Sequence, residues 1–530
     1  MKSNREAIPA GRIIAAGLVL NALLVLPAWW RDGEVGSVLL APEAWLLPAL
    51  VAFAPGGGWR VAVLTVSAAL ATFAVVAGFF DALVQSVLGR ALNVFVDPLM
   101  LGAGFHLIEG SLGLWVAVLA SVLLGLAVTA LAWGLAWMLG RVQGTPGTGA
   151  AVILSCSVLL ALPGPARSLP ALESQLRHLA ASQAAAFEQT REARAELLRA
   201  TADPDFRARA LPGLSGRDVY IVFIESYGAS AVDQAAFSRA VEPLLRDWSE
   251  RLSSAGLSAA SGRLTSPIRG GQSWLSHATV LSGLSIDNPV WYRMLLERDI
   301  DLLSDDFRMT GHQALNVAPG IVMDWPEGDR LGFDRIYAAA DLGYEGPRLG
   351  WVTMPDEYTL HAFSERIRPR HDGPVFAQIA LISSHWPWRP VIEPIPDHSR
   401  MDRGRVYASS VGQDAYPAAS LFDPGRMRRA YVGSLRYSLA VTLEWARRHL
   451  QSEALLIVLG DHQPVSLVTG REAGPAVPIH VISGDHDVLA GFLDRGFAPG
   501  LLPGDAGDPP PMDRLRHWLR RDFGKEGHLP

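Results

Sequence analysis

Long uncharged stretches alternate with short polar ones through the first part of the chain: residues 11–30, 38–54, 61–80, 113–139 and 149–164 are almost free of charge. A helix rises about 1.5 Å per residue and a bilayer core is about 30 Å thick, so the pattern predicts about five membrane-spanning helices, the second and fifth being short. Lys2, Arg5 and Arg12 place the N-terminus on the cytoplasmic side, and Arg60 and Arg141 fall in two further cytoplasmic loops. Asp32, Glu34, Asp81, Asp97 and Glu109 then lie outside, and the odd number of spans puts everything after residue 165 outside as well. No small-residue cleavage site precedes a hydrophilic segment, so a cleaved signal peptide is not expected. Residues 81–112 are amphipathic; they suit either a helix at the interface that guides a lipid headgroup or one that packs between spans.

The pattern changes after residue 166. Residues 173–200 are rich in Ala, Glu, Gln and Arg and predict a partly exposed helix, and Pro204, Pro212 and Gly213 mark the entry to a folded domain. Residues 218–224 and 454–459 are apolar, β-branched runs of strand length; they stop at Glu225-Ser226-Tyr227-Gly228 and at Gly460-Asp461-His462-Gln463-Pro464. Residues 477–482 read as a further strand containing His480. Between them, Arg269-Gly270-Gly271-Gln272-Ser273 delivers a hydroxyl at the predicted start of a helix, where free N–H groups suit a phosphate or sulfate. The expected fold is α/β with a central β-sheet. Its expected organisation is a transmembrane domain over 1–165, a helical linker over 166–214, an extracytoplasmic catalytic domain over 215–505 and a C-terminal tail over 506–530 with an amphipathic-helix pattern.

In open α/β sheets ligands bind beyond the carboxyl ends of the strands, which is where Glu225 and the Asp461-His462 pair stand. A charged residue that merely ends a strand is the ordinary alternative for either position alone. Oxygen and imidazole donors brought together suit Mn, Mg or Zn.

Four segments in order carry a resemblance: Ile224-Glu225-Ser226-Tyr227-Gly228, then Gly271-Gln272-Ser273 with Ser282-Gly283-Leu284 downstream, then Ser383-Ser384-His385-Trp386-Pro387-Trp388, then Gly460-Asp461-His462-Gln463-Pro464. Over roughly residues 215–490 the chain resembles the sulfatase-like branch of the alkaline phosphatase superfamily, with lipoteichoic acid synthases and membrane phosphoglycerol and phosphoethanolamine transferases nearest in pattern. The resemblance implies an alkaline-phosphatase/sulfatase-like sandwich and one divalent metal ion (Mn, Mg or Zn) on Glu225, Ser273, Asp461 and His462. It further implies Ser273 as nucleophile, His385 against the transferred phosphoryl group, and Trp325 and Arg330 on the headgroup. An ordinary surface loop with a packed tryptophan is the other reading of that last pair.

The implied enzyme sits in a bacterial inner membrane, with its catalytic domain in the periplasm or outside the cell. It moves a phosphoglycerol or phosphoethanolamine headgroup from a phospholipid donor, through a phosphoserine, to a glycan or lipid acceptor. With water as acceptor the same site is a phosphodiesterase or phosphatase. The enzymes named usually carry threonine at the nucleophile position, and register alone selects Ser273 over Ser276. Leu275 and His277 stand where a formylglycine motif needs Pro and Arg, which makes sulfatase chemistry a minor alternative. Some relatives place a histidine at the position of Ala476, so a second metal is not expected.

Net charge is −6 without a basic block, and no nucleic-acid partner is expected. Cys156 is the sole cysteine, so the catalytic domain has no disulfide; lipid A phosphoethanolamine transferases typically have several, which tilts the resemblance toward phosphoglycerol. His277 and His312 read as structural or exposed rather than catalytic, and His480, on the strand after the last pair, as a core-edge residue; His486 follows it. A scaffold without catalysis would ordinarily have lost a metal ligand, and all four positions here hold residues able to bind one.

Overall fold

The computed structural model describes residues 10–142, 151–152, 154, 172–297, 300–349, 352–410, 423–504 and 507–524. The chain divides into two compact units, Met1–Thr190 and Arg191–Pro530.

In the first unit, three helices among the described residues are long and apolar enough to cross a membrane: Ala10–Asp32, Gly58–Leu88 and Leu114–Gly140. Leu119, Leu123, Leu126 and Trp133 on the last of these are exposed, as lipid-facing side chains are. The predicted second span contains the 11-residue helix Glu43–Phe53, about 16 Å long and too short to cross. The predicted fifth span, over 149–164, lies outside the described residues apart from 151, 152 and 154. Residue 81 does not open a loop as expected, because the third predicted span continues as helix to Leu88. Asp81 is accommodated there, 1% exposed, by accepting a hydrogen bond from Leu92 N at 2.8 Å and lying 3.3 Å from His178 Nε2. Beyond it the amphipathic stretch forms a helix over Leu101–Leu112.

The second unit is built on one eight-stranded sheet. Its strands are β1 (Val219–Ile224), β2 (Ser258–Thr265), β3 (Gln313–Ala318), β4 (Arg335–Ala338), β5 (Val375–Leu381), β6 (Leu455–Gly460), β7 (Ala476–Ser483) and β8 (Ala498–Pro499), in the spatial order β4-β3-β5-β1-β6-β7-β2-β8. The first five in that order are parallel, and β7 reverses direction against β6.

Alternation along β1 explains why it reads as an unbroken apolar run. Tyr220, Val222 and Ile224 enter the core on one face; Val219, Ile221 and Phe223 enter the core on the other. A strand covered on both faces has no polar side to show. Helices Ala235–Ser254 and Pro424–His449 supply apolar side chains to the first core, and Ser273–Ser282 and Arg514–Phe523 to the second.

The C-terminal segment corrects the expectation of a tail. Its helix Arg514–Phe523 is amphipathic, but Leu515, Leu519 and Phe523 are already buried in the second core. Arg516 and Asp306 are both 0% exposed and meet at 3.1 Å, and Arg520 adds bonds of 2.8 and 2.6 Å to the same carboxylate. Arg516 Nη1 also donates to Ser282 O at 2.8 Å, so the cation sits at the C-terminal end of the helix that begins with Ser273. Breaking a buried ion pair by removing one partner costs about 3–5 kcal/mol. Asp306→Ala, which leaves the buried Arg516 cation without its carboxylate, is therefore expected to lower unfolding free energy by about that amount, read as a shift of the denaturant midpoint of the purified full-length protein.

Candidate active site

Register brings the ligand candidates together. Ile224 pairs with Leu381 on one side and Gly460 on the other, so β5, β1 and β6 end level and the residues that follow them stand side by side. Glu225 follows β1, Asp461 and His462 follow β6, and the turn carrying His385 follows β5. One ligand atom each from Glu225, Asp461 and His462 lies within 4.8 Å of the others, and all three residues are buried.

The approach of these turns demands small residues. A Cβ on Gly460 would collide with Tyr227 O, and one on Gly228 with the Gln463 side chain. Ser226 (φ 56°) and Gln272 (φ 68°) adopt left-handed backbone next to Glu225 and Ser273, a conformation that costs a non-glycine residue about 1–3 kcal/mol. Both are held by surrounding contacts: Ser226 N donates to Asp461 Oδ1 at 2.8 Å and Tyr431 Oη–H to Ser226 O at 2.9 Å, while Gln272 O accepts from Leu275 N at 2.9 Å.

Ser273 is the first residue of its helix. Its hydroxyl donates to Glu225 Oε2 at 2.8 Å and lies 3.3 Å from His462 Nε2. Ser276, the competing serine, is 0% exposed and donates instead to the carbonyl of Asp461 at 2.7 Å, which Ser266 Oγ also reaches at 2.7 Å. One serine hydroxyl thus faces the cluster and the other fixes the backbone beneath it.

Asp461 and His462 each have one end tied to backbone and the other directed into the cluster. Asp461 Oδ1 accepts from the backbone N–H of Ser226 and of His462, at 2.8 and 2.7 Å, while Oδ2 lies 3.8 Å from His462 Nε2. His462 Nδ1 donates to Gln463 O at 2.8 Å, which turns Nε2 toward the carboxylates. A backbone carbonyl behind an imidazole is the usual support of a metal-ligating histidine.

Burial raises the Asp461 carboxyl and the neighbouring Glu225 carboxylate raises it further, to about 7. Burial would raise Glu225 too, but the His462 and His385 imidazoles outweigh it and hold that carboxyl well below its usual range. His462 is lowered by burial, yet Asp461 and Glu225 carry it up to about 9. The proton on His462 is the positive charge that two buried carboxylates require. A divalent cation among the same atoms would meet the same need with a larger charge, so the donor set fits one.

His385 is half-buried, its Nδ1 donating to Trp386 O at 2.6 Å, and burial pushes its pKa down despite the Glu225 charge. Asp356, 0% exposed, shapes this turn by accepting from Ile382 N and Ser383 N at 2.7 and 2.8 Å. Trp325 is half-buried and packs on the second core, and Arg330 is exposed; among the described contacts neither meets Glu225, Ser273, Asp461 or His462. His277 packs against Phe223 with ring centroids 4.1 Å apart, and burial lowers it to about 4. His312 Nε2 lies 2.8 Å from Arg217 O, and His486 Nε2 lies 3.5 Å from Ser258 Oγ.

The sequence reading missed the supports: Ser266, Asp356 and the network through His480. Tyr227 Oη lies 3.0 Å from His480 Nε2, His480 Nδ1 lies 2.8 Å from Ser261 Oγ, and Ser261 Oγ–H is spent on Gly500 O at 2.6 Å. Ser261 accordingly accepts from Nδ1–H, and Tyr227 donates to Nε2. No local pattern announces these residues, since each acts across strands.

The chain has three helices long and apolar enough to cross a membrane and a second unit that is a mixed α/β domain with a buried carboxylate, imidazole and hydroxyl cluster, and it is similar to solved structures of the alkaline phosphatase superfamily. One is the lipooligosaccharide phosphoethanolamine transferase EptA of Neisseria meningitidis, at 14% identity over 94% of this chain and 95% of that one, with TM-score 0.45. The lipoteichoic acid synthase LtaP of Listeria monocytogenes is similar at 13% identity over 58% and 77%, TM-score 0.37. The phosphoglycerol transferase GacH of Streptococcus pyogenes is similar at 14% over 56% and 74%, TM-score 0.36. No family model and no curated protein matches the chain.

Ser276→Ala removes a buried hydrogen bond and should cost about 1–3 kcal/mol in denaturant unfolding. His480 gives a pH dependence. Burial holds its pKa down to about 3, while the unfolded imidazole titrates near its model value of 6.5. Between these values the unfolded state binds the extra proton, so stability falls as pH drops, by at most about 1.4 kcal/mol per unit from this group. His480→Gln should reduce the slope of unfolding free energy against pH in that window.

Proposed function

We propose that the chain is a membrane-bound, metal-dependent phosphotransferase. It moves a phospholipid headgroup phosphate, phosphoglycerol or phosphoethanolamine, through a phosphoserine on Ser273 to an envelope glycan or lipid. The observation that carries this reading is the placement of the Ser273 hydroxyl, 2.8 Å from Glu225 Oε2 and 3.3 Å from His462 Nε2, at the shared end of three parallel strands. The order of the four motifs supports it independently.

Glu225, Asp461, His462 and Ser273 would hold one divalent ion, Mn, Mg or Zn. Such an ion, when bound, favours ionisation of a hydroxyl and neutralises charge developing on phosphoryl oxygens. The chain's own groups supply the rest. The Ser273 hydroxyl already donates its proton toward Glu225 Oε2, which sets the direction in which that proton leaves. A bond forms from Ser273 Oγ to phosphorus, and the bond from phosphorus to the diacylglycerol oxygen breaks; that oxygen takes up a proton. The acceptor hydroxyl then bonds to phosphorus, gives up its proton, and Ser273 Oγ departs and is reprotonated.

His385 suits the proton transfers at the outer oxygens. With Nδ1–H committed to Trp386 O and the ring's pKa lowered by burial, Nε2 is its basic atom near neutral pH. That suits deprotonation of the acceptor hydroxyl, and by microscopic reversibility the protonated ring serves the leaving alcohol.

On this reading the chain threads a bacterial inner membrane with its N-terminus inside. Its 215–505 domain faces the periplasm or exterior, and the segment over 166–214 is the connection. Trp325 and Arg330 are assigned to the headgroup on the resemblance of their segment.

The test is mass spectrometry of full-length protein incubated with divalent metal and isotopically labelled phosphatidylglycerol or phosphatidylethanolamine. A headgroup-phosphate adduct on Ser273 with release of diacylglycerol is expected, both absent in Ser273→Ala. Metal-loaded protein that yields neither product from either lipid would sink the reading.

A further inference from the structure

Partly buried arginines in the second unit generally have a carboxylate beside them. Arg217 pairs with Asp485 at 2.6 Å, Arg368 with Asp218 at 2.7 Å, Arg263 with Asp233 at 2.5 Å, and Arg495 with Asp522 at 2.5 Å. Arg269 departs from this rule. Among the described residues no carboxylate lies within 4.0 Å of it, its Nε is buried without a hydrogen-bond partner, and the side-chain hydrogen bond it makes there is a long one from Nη2 to Ser466 Oγ at 3.3 Å. Burial lowers its pKa, and no acidic group acts on it to compensate.

Its position is fixed by the site. Arg269 bridges Gln463 in parallel, and the next residue, Gly270, donates its N–H to Gln463 O at 2.9 Å. That carbonyl is the one that orients His462. Arg269 therefore stands one residue across from the metal-ligand candidates, and the short turn it begins ends at Ser273. An isolated, half-buried cation is costly to hold, and a guanidinium offers five N–H donors, most of them unused here. A substrate that brings anionic or lone-pair oxygens into the site would satisfy both conditions.

We propose that Arg269 is a specificity-determining residue that reads the charge of the donor headgroup, accepting an uncharged or anionic polyol phosphate and rejecting an ammonium headgroup. This rests on the transferase reading above and makes the donor a phosphoglycerol-type lipid. Glycerol hydroxyls accept hydrogen bonds from a guanidinium, whereas the phosphate oxygens are common to both headgroups and do not discriminate. An ammonium offers no acceptor, and it adds a like charge where no spare carboxylate stands to receive it.

The test compares initial rates of diacylglycerol release by metal-loaded full-length protein in detergent micelles containing phosphatidylglycerol or phosphatidylethanolamine as sole donor. For the unmodified protein kcat/KM is expected to favour phosphatidylglycerol by about tenfold or more, a difference of about 1.4 kcal/mol. Arg269→Gln should bring the ratio close to one, mainly through a higher KM for phosphatidylglycerol, and Arg269→Lys should keep most of the preference. The ratio is internal to each variant, so a loss of folded protein lowers both rates together and leaves it unmoved. A ratio unchanged in Arg269→Gln, or an unmodified protein that prefers phosphatidylethanolamine, overturns the assignment and leaves the transferase reading standing. Release from neither lipid by the unmodified protein overturns both.

Discussion

Two carboxylates buried against each other at the ends of neighbouring strands are the condition on which the second unit is organised. Unit charges about 4 Å apart repel by about 4 kcal/mol at an effective dielectric constant of 20. Glu225 and Asp461 cannot separate, because Ile224 and Gly460 are paired in register. The fold makes the repulsion tolerable by surrounding the oxygens with donors: two backbone N–H groups on Asp461, and the hydroxyls of Ser226 and Ser273 on Glu225. The remaining imbalance draws positive charge to the point where His462 Nε2 lies and where a cation fits. A buried donor set with this electrostatic deficit fits a cation.

Holding that arrangement still is the task of residues that never face it. Ser266 and Ser276 fasten the Asp461 carbonyl, Ser384 donates to the Glu225 carbonyl at 2.6 Å, and Asp356 fixes the turn leading to His385. The C-terminal helix extends the same logic over a longer distance. Arg516 binds the carbonyl that ends the Ser273 helix, and His517 Nε2 lies 3.1 Å from Gly283 O immediately after it. The nucleophile candidate is thus at the free end of a helix whose other end is clamped by a buried ion cluster. Positioning of this kind lowers a barrier by keeping reacting atoms oriented, at a cost met during folding rather than at the moment of reaction.

What could be read from the sequence divides along physical lines. β1 and β6 were legible because burial on both faces leaves an uninterrupted apolar run, and the charges after them stood out against it. β2, Ser258–Thr265, was not, since its residues are small or polar; Gly262 in it lies under the Phe497 ring, and Ser261 is polar in order to meet His480. The choice of Ser273 over Ser276 needed the third dimension, because both serines open one helix and only packing tells which hydroxyl faces the carboxylates. The amphipathic C-terminal helix showed its apolar face in sequence, but nothing local distinguishes a face that meets lipid from one that meets a protein core. Membrane spans were read from length and hydropathy, which separate Gly58–Leu88 clearly and fail at Glu43–Phe53, whose apolar residues face its own unit.

The same electrostatics bears on why the site would transfer a group rather than lose it to water. Burial holds the His385 pKa below that of a free imidazole, which on the proposed reading suits its basic nitrogen to take a proton from an oxygen brought close and acidified by its surroundings. On the proposed reading, a glycan or lipid hydroxyl held against a phosphoserine would meet that condition through binding energy, its proton being removed as the new ester bond forms. Water must meet it without such help. Its competitiveness depends on how completely the bound acceptor fills the space above Ser273, so exclusion of solvent by the acceptor, more than the identity of any cluster residue, would separate a transferase from a hydrolase built on this chain's groups.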